Sequence, residues 1–117
     1  MLYKDGAYLI DIRYLFKLKK THLSMQDRIT KEKIRNYKEL TVNALNMAKK
    51  SIIKGKESEA KEITEMVSNY LSDSGYFEKT GDFINAFAAI NYAHGWLDSG
   101  VRLGIFDVLD DKLFTIK

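Results

Sequence analysis

The residues of this chain whose types and spacing can do chemistry are Asn91, His94, Asp98 and Arg102. Spacings of three and four put all four on one stripe of a helix. An imidazole oriented by a carboxylate makes a dyad that moves protons, a guanidinium takes a carboxylate or phosphate, and an amide offers a donor and an acceptor. Trp96 beside them is a stacking surface. The same residues also have a purely structural reading. Asp98 and Arg102 form an ordinary i, i+4 pair worth roughly 0.2–0.5 kcal/mol, and His94 hydrogen-bonds inside a bundle, so that the stripe fixes register between two helices.

The remaining chemistry is limited by composition. The chain has two histidines, His22 and His94, and no cysteine. A zinc site would therefore rest on carboxylates, an unusual donor set, so no metal and no cofactor are expected. There is no GxxxxGK phosphate loop, no GxGxxG turn after a strand and no GxSxG elbow. No arginine precedes a histidine by the four to six residues seen in helical RNA-cutting domains. No catalytic residue is assigned, and the chain reads as noncatalytic.

Three helices position these groups. Ile34, Tyr37, Thr41, Ala44, Leu45, Ala48 and Ile52 share one stripe between Thr30 and Ile53, and Gly55 ends that helix. A second runs from Ser58, read as its N-cap, through Ala60, Ile63, Met66, Val67, Tyr70, Leu71 and Phe77. Asp82 caps a third, from about Phe83 to Leu103, that is apolar nearly all round and so is central or shared with a partner. Short connections at Gly55 and Gly81 make neighbours antiparallel, and no proline interrupts them. The fold class is all-α, an up-and-down antiparallel three-helix bundle. AYLIDIRYLF near the N-terminus and LDDKLFTIK at the C-terminus also read as short strands that can pair.

This register sets Tyr70 beside Asn91, Met66 beside His94 and Leu97, and Glu59 or Glu62 beside Arg102. Ala86, Ala89, Ala93, Gly100 and Gly104 line a strip that invites close approach of another backbone. Ala89, Tyr92, Trp96 and Leu103 form a second apolar surface for a protein partner, either another copy or another chain.

The formal charge of +3 conceals a division along the chain: residues 1–24 carry +3, 25–56 carry +6 and 57–117 carry −6. Arg28, Lys31, Arg35, Lys38 and Lys49 fall along one flank of the first helix, a stripe able to track a phosphate backbone. Nucleic-acid binding is thus the alternative to protein interaction. Pairing of Lys49 and Lys50 with Glu59 and Glu62 would answer part of that charge.

The run YLSDSGYFEKTGDFINAFAAINYAHGWLDSGVRLGIF, residues 70–106, resembles a family of short, mainly archaeal proteins known as domain of unknown function 357. Gly81, Asp82, Ala86 and NYAHGWLDSGVRLG carry the likeness, which extends more weakly back to about Met25. The resemblance implies a small helical bundle in an archaeal cytoplasm and brings no activity, cofactor or catalytic residue with it. Residues 1–24 read as an N-terminal extension and 25–117 as the three-helix domain. With 45% hydrophobic and 30% charged residues, 117 residues suffice for one core. The absence of cysteine and of any apolar run near 20 residues agrees with a cytoplasmic, non-membrane setting.

Overall fold

The computed structural model describes residues 28–114. Three helices, α1 (Lys31–Lys49), α2 (Glu57–Lys79) and α3 (Phe83–Arg102), pack as an up-and-down bundle. The N-terminal strand expectation, the pairing of the two ends and His22 lie outside the described residues. Among the described residues there is no strand, and the backbone makes one isolated antiparallel bridge, Ile52 to Phe106.

Local chemistry sets the helix ends. Thr30 caps α1, its hydroxyl accepting from the Lys33 amide, and Asp82 caps α3, its carboxylate accepting from the Asn85 amide. The turn between α2 and α3 does two jobs in three residues. Gly81, at φ +84°, lets the Asp82 amide reach the Phe77 carbonyl and its own amide reach Glu78, closing α2 while Asp82 opens α3. Gly104, at φ +76°, closes α3 the same way through Ile105 to Gly100 and Gly104 to Val101.

Two sequence expectations are corrected at the other connection. α1 stops at Lys49, and Ile52 leaves the helical stripe to bridge Phe106 at 38% exposure. Ser58 is not the cap of α2. Glu57 already occupies the first helical position, and its carboxylate accepts from the Gly55 amide at 3.0 Å, which supplies a partner one residue before Ser58.

α3 is the central helix. Ile34 packs with Ala86 and Ile90 at one end, and Ala44, Leu45 and Ala48 of α1 meet Ala60, Ile63 and Val67 of α2 and Ala93 and Leu97 of α3 toward the other. Burying these aliphatic groups, at about 25 cal/mol per Å², is the main force holding the three helices together. Beyond α3 the chain does not run off as a strand. Ile105, Phe106, Val108 and Phe114 are all buried, so residues 105–114 fold back over the bundle as a strap. Asp110 turns this strap, its carboxylate accepting from the amides of Lys112 and Leu113. Backbone bonds from Ile53 to Ile105 and from Asp107 to Ser51 pin its start to the α1–α2 connection.

The strip of small residues is occupied differently from the sequence expectation. Ala86 and Ala93 are fully buried, as the strip requires. Gly100 is answered by a ring, not a backbone: a Cβ there would meet Phe106 Cε2 at 2.5 Å. Gly104 lies past the helix and has nothing within 4 Å of a would-be Cβ.

Candidate functional site

His94 does not pair with Asp98 as the spacing of the stripe Asn91, His94, Asp98, Arg102 suggests. His94 turns inward between α1 and the strap. Its Nε2 lies 2.6 Å from the Leu113 carbonyl, which can only accept, so Nε2 carries the proton and donates. Nδ1 is then bare and accepts from the Thr41 hydroxyl at 3.0 Å. Thr41 is 1% exposed, so this bond satisfies a hydroxyl that would otherwise be stranded in the core. Phe114 leans over the ring with centroids 6.4 Å apart. Both ring nitrogens are thereby engaged, Nε2 with the strap and Nδ1 with α1. The orienting carboxylate of the dyad reading is replaced by Thr41 and a carbonyl.

Asn91 is exposed; Asp98 is half-buried and Arg102 exposed, and each is partnered. Among the described residues no three histidine, cysteine or carboxylate side chains gather closely enough to hold a metal ion.

What does gather is the outward face of α3. Asn91, Tyr92, Gly95, Trp96 and Ser99 line a shallow hollow of about 370 Å³. Its aromatic edge continues onto α2, where Tyr70 meets Tyr92 edge-on with centroids 4.7 Å apart. Burial, then Tyr92, then the Asp73 charge hold the Tyr70 hydroxyl above its ordinary pKa. Tyr70 thus faces Tyr92 in place of the expected Asn91, a shift of one residue that leaves the Asn91 amide in solvent. Gly95 forms the floor, with nothing within 4 Å of a would-be Cβ.

Of the apolar surface read from the sequence, Tyr92 at 56% and Leu103 at 73% are exposed and Trp96 is half-buried. Ala89 is the exception. It is buried at 9%, because it shares the inward side of α3 with Ala86 and Ala93. Gly95 and Ser99 take its place on the face, and neither signals itself by residue type.

The basic flank of α1 is outward, as its periodicity requires. Arg28, Lys31, Arg35 and Lys49 are exposed. Lys38 is drawn toward α2, 4.0 Å from Glu78. Lys49 lines a hollow with Thr64, Glu65, Ser68 and Asn69 and so stands opposite Glu65, not Glu59 or Glu62. The connection of residues 50–56 sets that register. Lys33, which the flank does not include, lies over the rings of Tyr37 and Phe87 at 5.9 Å from each.

The fold and this face define a small all-α bundle with an aromatic hollow on its central helix. The profile of the family described as "Protein of unknown function (DUF357)" matches residues 13–106, and the chain belongs to that family. The matched stretch includes residues 13–24 and ends at Phe106, before most of the strap. No curated protein and no solved structure matches the chain. No helix among the described residues is long and apolar enough to cross a membrane.

Proposed function

We propose that this chain is a noncatalytic protein-interaction module whose binding surface is the outward face of α3. One observation carries the reading. Eight residues of α3 are exposed, Ile84, Asn85, Ala88, Asn91, Tyr92, Gly95, Ser99 and Arg102, and one of them is charged. On α1 five of nine exposed residues are charged, and on α2 seven of twelve. Solvated helix faces normally look like α1 and α2, whereas the centres of protein interfaces are depleted in charge and enriched in Tyr and Trp. The partner is another protein or a second copy, and the setting is the archaeal cytoplasm that the family resemblance implies.

The test is the native size of the protein in its source. The parent chain should elute well above its monomer mass of 13.5 kDa, and the Tyr92→Lys, Leu103→Lys double variant should elute at that mass with its helices intact by circular dichroism. A parent that elutes as a free monomer, or a variant that keeps the larger size, removes the proposal.

A second reading rests on the exposed cations Lys31, Arg35 and Lys49 along α1 and Arg28 just before it. If these contact phosphates, RNA or DNA binding should be salt-dependent and fall when Lys31 and Arg35 become glutamate. A flat low-salt titration against both nucleic acids eliminates it.

A further inference from the structure

The hollow on α3 is uncharged, but its α2 edge is acidic. Tyr70 meets Tyr92, which lines the hollow, so the α2 flank carrying Tyr70 runs along it. Glu59, Glu62, Met66 and Asp73 follow on that side at spacings of three, four and seven. Glu59, Glu62 and Asp73 are exposed, and among the described residues none of the three has an ion pair. Both basic residues of α2, Lys61 and Lys79, project from its opposite side by the same periodicity. The Asp73 charge reaches as far as Tyr70.

We infer that the hollow receives a basic amphipathic segment of a partner protein. An apolar side chain sits over Gly95 between Tyr92 and Trp96, and lysines or arginines one turn away stand against Glu59, Glu62 and Asp73. This rests on the reading of the α3 face as an interaction surface and names what that surface takes. The floor suits an inserted side chain, since Gly95 places no Cβ in it and no atom of the other described residues lies within 4 Å of where one would stand. Asn91 and Ser99, polar and exposed, can hydrogen-bond a segment that crosses the helix. The rings of Tyr92 and Trp96 attract cations as well as apolar groups. Charge decides between occupants. The unanswered carboxylates raise the local concentration of a cationic partner, while a second copy would bring the same uncharged, acid-edged face.

Trp96 is the sole tryptophan of the chain, so its fluorescence reads this hollow directly. The probe is a synthetic amphipathic helix of leucine and lysine, added to the full chain, with a second peptide carrying glutamate at every lysine position. The lysine peptide should shift Trp96 emission to the blue with saturation, and the glutamate peptide should leave it unmoved. Reversing the edge with Glu59→Lys, Glu62→Lys and Asp73→Lys together should weaken the apparent Kd by about tenfold, as should added salt. Tyr92→Ala should weaken it without salt dependence of its own. Circular dichroism of each variant confirms that the exposed substitutions leave the helices intact. Equal shifts from both peptides, lysine-peptide binding with Trp96 silent, or undiminished binding by the reversed edge overturns the inference. A blue shift of the protein alone that grows with its own concentration also overturns it, by naming a second copy as the occupant. If no peptide binds while the native protein still elutes as an assembly dissolved by Tyr92→Lys and Leu103→Lys, the interaction module stands and the partner chemistry alone is wrong.

Discussion

Gly95 and Gly100 lie on the same helix, and their surroundings require opposite responses to the same substitution. A Cβ on Gly100 would stand 2.5 Å from Phe106 Cε2, 2.7 Å from Cδ2 and 3.1 Å from Ile63 Cδ1. Unstrained carbon contacts are roughly 3.5–4.0 Å. Phe106 is 2% exposed and Ile63 6%, so neither can yield into solvent, and the ring can move only by displacing the strap and the bridge to Ile52. Overpacking of this kind costs about 1–3 kcal/mol, against which alanine returns up to about 1 kcal/mol of helix propensity. Gly100→Ala should therefore lose about 1–2 kcal/mol and melt roughly 5–10 °C lower. At Gly95 nothing lies within 4 Å of the added carbon, and the residue is exposed. Gly95→Ala should gain about 0.5–1 kcal/mol and melt a few degrees higher. Thermal and urea unfolding followed by far-ultraviolet circular dichroism measures both against the parent. A Gly100→Ala protein that melts at or above the parent would refute the placement of Phe106, and with it the path of the strap.

His94→Ala strands the Thr41 hydroxyl and the Leu113 carbonyl and should cost about 1–3 kcal/mol in urea unfolding, with the His94→Ala, Thr41→Val double variant losing less than the two singles together. Asp82→Ala and Thr30→Ala should each lose about 1 kcal/mol as helix caps, while Ser58→Ala should stay within about 0.5 kcal/mol because it caps nothing; thermal melts separate the three. Titration of Tyr70 followed in the ultraviolet by difference against Tyr70→Phe should place its ionisation above the ordinary 10.0, and Tyr92→Phe should bring it down. The sign follows from linkage. A raised pKa in the folded state contributes stability that is fully present below 10.0 and is lost as pH rises from there through the folded value.

Where the structural signal is local, the sequence carries it. Asp82, a short polar residue before an apolar period, caps as that pattern implies, whereas Ser58, read by the same pattern, does not because α2 already starts at Glu57. The central position of α3 is legible for a similar reason, since its apolar residues surround the helix. Departures arise where a contact comes from far along the chain. Ile52 continues the period of α1, but pairing with Phe106 takes it out of the helix. His94 and Asp98 look like a dyad by spacing, yet His94 is satisfied by Thr41, 53 residues before it, and by Leu113, 19 residues after it. The strap has no period for a wheel to find. Ser74 is fully buried because its hydroxyl donates to the Leu71 carbonyl of its own helix, so a polar residue passes into the core without any partner the pattern could mark. The hollow itself was half legible. Tyr92, Trp96 and Leu103 stand out by type, whereas Gly95 and Ser99 matter only because nothing covers them.

The claim that the outward face of α3 is the working surface is tested most directly by site-specific photo-crosslinking in the living source cell. A photoreactive residue is placed at position 92, on the uncharged face, and in a separate protein at position 61, which is also exposed, on the charged face of α2. Position 92 should yield one or a few discrete protein adducts that position 61 does not, and those adducts should vanish when Leu103→Lys is added. Adducts from position 61 with none from position 92, or the same diffuse pattern from both, would contradict the account.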